Sequence, residues 1–185
     1  MPRMLHEALK RFGRMSDADD LILNHLPVFS DVAPQGKWER FLVQGFFEQP
    51  LELTYEALMA LAQQEFAEDF HCVEGWVVPD QKWKGVLVST LLALAKPLPG
   101  AKYLGFSAGS YTVGLSLEEV EHSDVIIALR LNGEMLTDEH GGPCRLIATG
   151  KECHFSVKWV DRIELRATPA EDTGHLIAKA RVGGN

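Results

Sequence analysis

Asp69-Phe70-His71-Cys72-Val73-Glu74-Gly75-Trp76 is the stretch on which the reading of this chain turns. It sets a cysteine beside a histidine, between apolar residues, with a glycine and a tryptophan just after. A cysteine in that setting is a buried spacer, a nucleophile or a metal ligand. His71 and Glu74 flank it with polar groups, and Gly75 permits a tight backbone approach. A thiolate there would suit a soft or high-valent metal centre.

Around that stretch the pattern is one of short strands. Phe41 to Phe47 reads as a strand closed by a turn at Gln49-Pro50, and Thr54 caps a helix over Tyr55 to Ala62. A strand over Phe66 to Phe70 leads into the Cys72 loop. Trp76 to Val78 is extended, and Pro79-Asp80 turns. A helix capped by Ser89 or Thr90 follows and ends at Pro97. Tyr103 to Ser107 alternates as a strand, and Ser116-Leu117-Glu118-Glu119 is a capping box. Val125 to Leu131 is the strongest strand signal, and Asn132-Gly133 after it predicts a type I′ hairpin to residues 134–136. Short strands are expected over Arg145 to Ala148, Ser156 to Val160 and Ile163 to Ala167. Near the start, Leu5, Leu9 and Phe12 have helical spacing, and 26–38 reads as an extended lead-in. Many short strands with few short helices give an α+β fold, a mixed twisted sheet in one domain.

The chain has 185 residues, 46% hydrophobic and 24% charged, which suits a globular protein with one sizeable core. A net charge of -8 argues against a nucleic-acid partner, which needs a basic face. Its three cysteines, Cys72, Cys144 and Cys153, are odd in number and far apart. They form no disulfide framework, and a reducing compartment fits them. No apolar run is long enough to span a bilayer, and no export signal is present. These features predict a cytoplasmic protein.

Two further stretches carry chemistry. His140-Gly141-Gly142-Pro143-Cys144-Arg145-Leu146 is a fixed loop with a histidine before it and an arginine opening the next strand. A guanidinium fork on a rigid base suits phosphate, as well as an ordinary surface ion pair. Gly150-Lys151-Glu152-Cys153-His154-Phe155-Ser156-Val157-Lys158-Trp159 is either an anion cradle or a solvated loop. His71, Cys72, His140, Cys144, Cys153 and His154 are all zinc-ligand types, but no pair has finger-like spacing. Cys72 meeting His140 or His154 as a nucleophile pair is equally open.

Taken in order, these stretches resemble a known family. Gln44-Gly45-Phe46-Phe47-Glu48-Gln49-Pro50, the Cys72 stretch, Trp83-Lys84-Gly85-Val86, Leu131-Asn132-Gly133-Glu134, the His140 stretch and Val157-Lys158-Trp159-Val160 follow one another as in the molybdopterin-binding oxidoreductase domain of the sulfite oxidase family. The chain looks most like the small bacterial branch that includes the catalytic subunit of the methionine sulfoxide reductase system. The resemblance covers residues 38–167, leaving 1–37 as a helix and lead-in and 168–185 as a C-terminal tail.

The resemblance implies a fold with a twisted sheet and a small barrel-like part, and a molybdenum–molybdopterin cofactor. It implies Cys72 as the metal ligand and catalytic residue, His140 and Arg145 on the pterin and its phosphate, and Lys158 closing the loop Cys153, His154, Phe155 and Ser156 along the pterin. His71 would orient from behind. There are departures: Thr149-Gly150 and Glu152-Cys153 replace a proline and an aromatic-glycine pair, and Gly109-Ser110-Tyr111 stands where relatives often have Asp-Gly-Tyr. The immunoglobulin-like dimerisation domain of full sulfite oxidases is not expected here, since only about 20 residues follow the match. The expected activity is oxygen-atom transfer to or from a small sulfur or nitrogen oxide, with a small-molecule substrate and a separate electron-transfer partner. The competing expectation is a non-enzymatic binding module that kept the fold and lost the cofactor.

Overall fold

The computed structural model describes residues 21–28 and 36–183. The expected helix on Leu5, Leu9 and Phe12 lies outside the described residues, as does much of the lead-in. In chain order the elements begin β1 (Leu21–Ile22), β2 (Phe41–Gly45), β3 (Leu51–Leu53), α1 (Tyr55–Ala60), β4 (Gln63–Cys72), β5 (Trp76–Leu87) and α2 (Val88–Ala95). They continue β6 (Tyr103–Ala108), β7 (Tyr111–Ser116), α3 (Leu117–His122), β8 (Val125–Leu131), β9 (Glu134–Met135), β10 (Arg145–Ala148), β11 (Arg162–Arg166) and α4 (Thr173–Gly183).

The strands form mixed sheets, as the α+β reading expected, but two of them rather than one. One has the order β1-β5-β8-β10, with β4 on β5 and β9 on β8. The other runs β3-β2-β11-β6-β7. Among the described residues only the β1–β5 and β2–β11 pairs are parallel. Strand β8 explains the layering. Its unbroken apolar run buries Val125, Ile127 and Leu129 in a large core shared with β2, β6, β7 and β11. Ile126 and Ala128 point the other way, into a smaller core with Phe70, Cys72, Trp76 and Trp83. A strand covered on both faces reads as a continuous hydrophobic run for this reason. Each such Ile or Leu contributes about 1.5–3 kcal/mol of burial.

Local signals held where side chains close their own hydrogen bonds. Thr54 Oγ1 accepts from the Ala57 N–H at 3.2 Å. Both halves of the Ser116–Glu119 capping box are made, and Lys151 Nζ meets the same Glu119 carboxylate at 2.5 Å. Asn132 and Gly133 take φ of 52° and 87°, turning β8 into β9.

Four expectations need correction. Pro79-Asp80 makes no chain reversal: β5 runs straight through it. The Asp69 carboxylate accepts the Asp80 N–H at 3.0 Å, and a bulge between Glu68 and Phe70 absorbs the irregularity. Helix α2 starts behind Leu87 without a side-chain cap, so neither Ser89 nor Thr90 serves. Cys72 is the last residue of β4, paired with Trp76, and not a loop residue. Ser156 to Val160 is not a strand. A 3-10 turn, Cys153–Phe155, precedes it, Lys158 makes one isolated bridge to Arg145, and Trp159 at φ 56° ends any extension. Strands β1, β3 and β7 and helix α4 were not anticipated.

Candidate active site

Side chains alternate across a strand, so residues two apart share a face. Phe70 and Cys72 therefore project together from β4, and Arg145 and Ile147 together from β10, all into the smaller core. β5 sits between these strands and packs hard on β8. A Cβ on Gly85 would fall onto the Ile127 carbonyl, so only glycine fits there. That close approach brings Trp83 beneath the site.

Arg145 is the electrostatic centre. It is 6% exposed, and its guanidinium carbon lies 5.1 Å from the Phe70 ring centre and 5.2 Å from that of Trp83. Two aromatic faces partly offset its desolvation. Nη1 donates to the His140 carbonyl at 3.1 Å, while Nε has no partner. Among the described residues no carboxylate pairs with it. Burial pushes its pKa down to about 10.

Beside this cation lies a pair of thiols. Cys72 Sγ and Cys153 Sγ are 3.0 Å apart, with Cys153 donating in the neutral pair. The turn between β4 and β5 aims backbone N–H groups at both sulfurs, Glu74 at Cys72 and Val73 at Cys153. The shared hydrogen bond lets the first proton leave Cys153 below its usual range. The same bond, together with burial, then holds the Cys72 thiol far above its own. Cys144, on the opposite face and fully buried in the large core, is raised by burial alone.

His140 and Lys158 frame the other side. Gly141 takes φ 92°, and a Cβ there would press on the Lys158 side chain at 2.7 Å. The Trp159 N–H donates to the Gly141 carbonyl at 2.9 Å, locking the two segments together. Lys158 Nζ donates to the Glu139 carbonyl at 2.7 Å. His140 Nδ1 is buried and unpartnered, and burial, then Arg145, lowers its pKa.

The structure thus brings together Cys72, Cys153, Arg145, His140 and Lys158. It does not bring in His71, which alternation places on the opposite face of β4 from Cys72. His154 is buried and tilted against the His175 ring of α4, with its carbonyl held by the Tyr111 hydroxyl at 2.7 Å. Phe155 packs at the edge of the large core, and Ser156 closes the 3-10 turn through its N–H to the Cys153 carbonyl at 3.0 Å. Sequence reading missed Phe70 and Trp83 as the walls of the guanidinium site. The Phe70-x-Cys72 spacing was the available signal.

A buried cation without a carboxylate, orphan donors at Arg145 Nε and His140 Nδ1, and thiols facing backbone N–H groups form a setting for an anionic, thiophilic group. This fits a pterin phosphate and a metal held by sulfur. Among the described residues no cluster of three metal-ligand side chains exists. Among the described residues no helix is long and apolar enough to cross a membrane.

Comparison with known proteins places the chain in a family. The oxidoreductase molybdopterin binding domain family matches residues 25–174. The uncharacterized oxidoreductase YuiH of Bacillus subtilis is 31% identical over 140 residues, 75% of this chain and 69% of that protein. The protein-methionine-sulfoxide reductase catalytic subunit MsrP of Campylobacter jejuni is 27% identical over 161 residues, 76% of this chain and 53% of its own length. Among solved structures, the sulfane dehydrogenase SoxCD from Paracoccus pantotrophus superposes with a TM-score of 0.66 at 29% identity, covering 72% of this chain and 39% of that one. With a matched family spanning most of the sequence and a buried cation–thiol site at its centre, this chain belongs to the oxidoreductase molybdopterin-binding domain family, the sulfite oxidase type of oxidoreductase whose cofactor is molybdenum–molybdopterin.

Proposed function

We propose that this chain catalyses oxygen-atom transfer to or from a small sulfur or nitrogen oxide. The observation that carries the reading is the buried Arg145 guanidinium, uncompensated by any described carboxylate and set beside two thiols. When bound, molybdenum–molybdopterin supplies the two-electron redox chemistry.

The residues then have distinct tasks. Cys72 would supply a thiolate ligand to the metal, which requires that its proton leave. Arg145 and Lys158 would neutralise the pterin phosphate, and His140 Nδ1 would hydrogen-bond the pterin. Residues Cys153 to Ser156 would line the cofactor. The β4–β5 turn directs N–H groups at sulfur, which stabilises negative charge there without mobile counter-ions. Relatives named for methionine sulfoxide reduction and for sulfane dehydrogenation support a sulfur-centred substrate. A separate electron carrier is required as redox partner. Three cysteines outside any disulfide support a cytoplasmic location.

The test is elemental analysis of protein purified from a host that makes the cofactor, followed by turnover with a reduced viologen dye. A methyl sulfoxide and nitrate are offered in turn. Stoichiometric molybdenum and dye oxidation by the sulfoxide are expected. Metal-free protein from such a host would instead favour a binding module that has lost the cofactor.

A further inference from the structure

Cys153 stands out because the proposed function gives its thiol no task. It lies on a 3-10 turn, 81 residues from Cys72 in sequence, yet the two sulfurs are 3.0 Å apart. A disulfide needs about 2.05 Å between sulfurs. Closing the gap takes roughly 1 Å of movement. Cys153 belongs to no strand, so the turn that carries it is free of ladder hydrogen bonds. Gly150, at the head of that segment, has open space around it. Cys153 is half-buried whereas Cys72 is 6% exposed, so a solution oxidant meets Cys153 first. Cys144 lies in the other core and takes no part.

We infer that Cys72 and Cys153 form a reversible disulfide in the cofactor-free protein, which withdraws the Cys72 sulfur from metal binding until it is reduced. The first part rests on the geometry, and the consequence for the metal rests on the proposed role of Cys72. The oxidant is a small disulfide of the glutathione class. The Cys153 thiolate attacks one of its sulfurs, forming a mixed disulfide and expelling one glutathione thiolate. The Cys72 thiolate then attacks Cys153 Sγ and expels the second. Two protein thiols lose two electrons and two protons, and one glutathione disulfide becomes two glutathiones. A dithiol reductant reverses the exchange.

The experiment uses the whole apoprotein, incubated with glutathione disulfide and then freed of it. Free thiols are titrated in denaturant, linked peptides are sought by mass spectrometry, and uptake of molybdopterin and molybdate is measured before and after reduction. The expected result is a fall from three thiols to one, a Cys72–Cys153 linked peptide, and cofactor uptake reduced at least tenfold and restored by dithiothreitol. Cys153→Ser should form no link, and its uptake should be the same with and without oxidant. Cys144→Ala should behave as wild type. A thiol count that stays at three, or a stable glutathione adduct with no linked peptide, would overturn the inference while leaving the proposed function standing. A linked protein that loads as well as the reduced one would overturn the withdrawal of Cys72. If reduced apoprotein takes up no cofactor at all, the proposed function fails and the gating role fails with it. The peptide data tell that case from a pair that never links.

Discussion

Arg145 Nη1 donates to the carbonyl of His140 at 3.1 Å, five residues back along the chain. The bond spans the Gly141-Gly142-Pro143 turn and fixes where both side chains point. It satisfies one donor of a guanidinium that is otherwise held by two aromatic faces, Phe70 and Trp83. A structural arginine in such a place would normally have a carboxylate, because a buried unpaired charge is expensive. The arrangement instead suits an anion.

Arg145→Met therefore separates function from stability. Methionine fills similar volume without a charge, so the apoprotein should melt at or above the wild-type temperature, by the logic of strained functional sites. Losing a charge-assisted pair worth about 1.5–3 kcal/mol should weaken cofactor binding by about one to two powers of ten. Thermal melts of apoprotein and molybdenum content after loading read the two effects. A lower melting temperature with unchanged loading would make Arg145 a purely structural charge.

This site was legible in part. The Cys72 and Arg145 stretches announced themselves because short, rigid motifs with glycine and proline fix local backbone. What joins them was not legible. Strand β4 meets β5, β5 meets β8 and β8 meets β10, and each pairing is a tertiary event with no local signal. Alternation alone, applied to the residues 70 to 72, would have moved His71 off the site and added Phe70. The 3-10 turn at Cys153 was hidden because Ser156 to Val160 has the apolar spacing of a strand, while Trp159 at positive φ breaks it. Strand β1 contributes two exposed residues and carries no pattern to find.

The Asn132-Gly133 turn gives a test of fold energetics alone. Gly133 has φ 87°, and a Cβ there meets nothing within 4 Å. Gly133→Val thus creates no clash, and its whole effect is backbone strain, about 1–3 kcal/mol for a β-branched residue in that region. Gly133→Asn should be milder, since asparagine tolerates positive φ. Denaturant midpoints of the two variants should fall in that order, with unchanged slopes. Equal midpoints would mean the turn relaxes at no cost.

His154 should make stability sensitive to mild acid. Burial lowers its pKa below the usual 6.5, outweighing Glu152 and Asp172 nearby. Glu152 Oε2 lies 3.2 Å from Nδ1 but outside hydrogen-bond geometry. With the folded pKa depressed, the unfolded chain binds the proton first as pH falls through 6.5. Stability is full above that value and declines from there down to the folded pKa. His140 is depressed for the same reason and adds to the slope. His154→Phe should flatten the fall in melting temperature between about pH 7 and 5.5 without removing it. A variant with the wild-type slope would place the effect elsewhere.

Cys72→Ser decides what the first sulfur does. If Cys72 gives its thiolate to the metal, serine replaces a soft donor by a harder oxygen of similar size. Much of the cofactor should remain, because on the proposed reading Arg145, Lys158 and backbone groups would also hold it. The sulfur-to-metal absorption should change and turnover should fall by orders of magnitude. Cys144→Ser should do neither, because Cys144 packs in the large core away from Arg145 and the Cys72 pair. It should cost only the stability expected for a hydroxyl placed at a fully buried apolar site, about 1–3 kcal/mol. A buried inert Cys72 predicts the same modest loss with an unchanged spectrum and rate. A nucleophilic Cys72 predicts lost turnover in protein that never contained molybdenum. Metal content, spectrum and rate measured on both variants separate the three. A wild-type spectrum and rate in molybdenum-loaded Cys72→Ser would remove Cys72 from the metal.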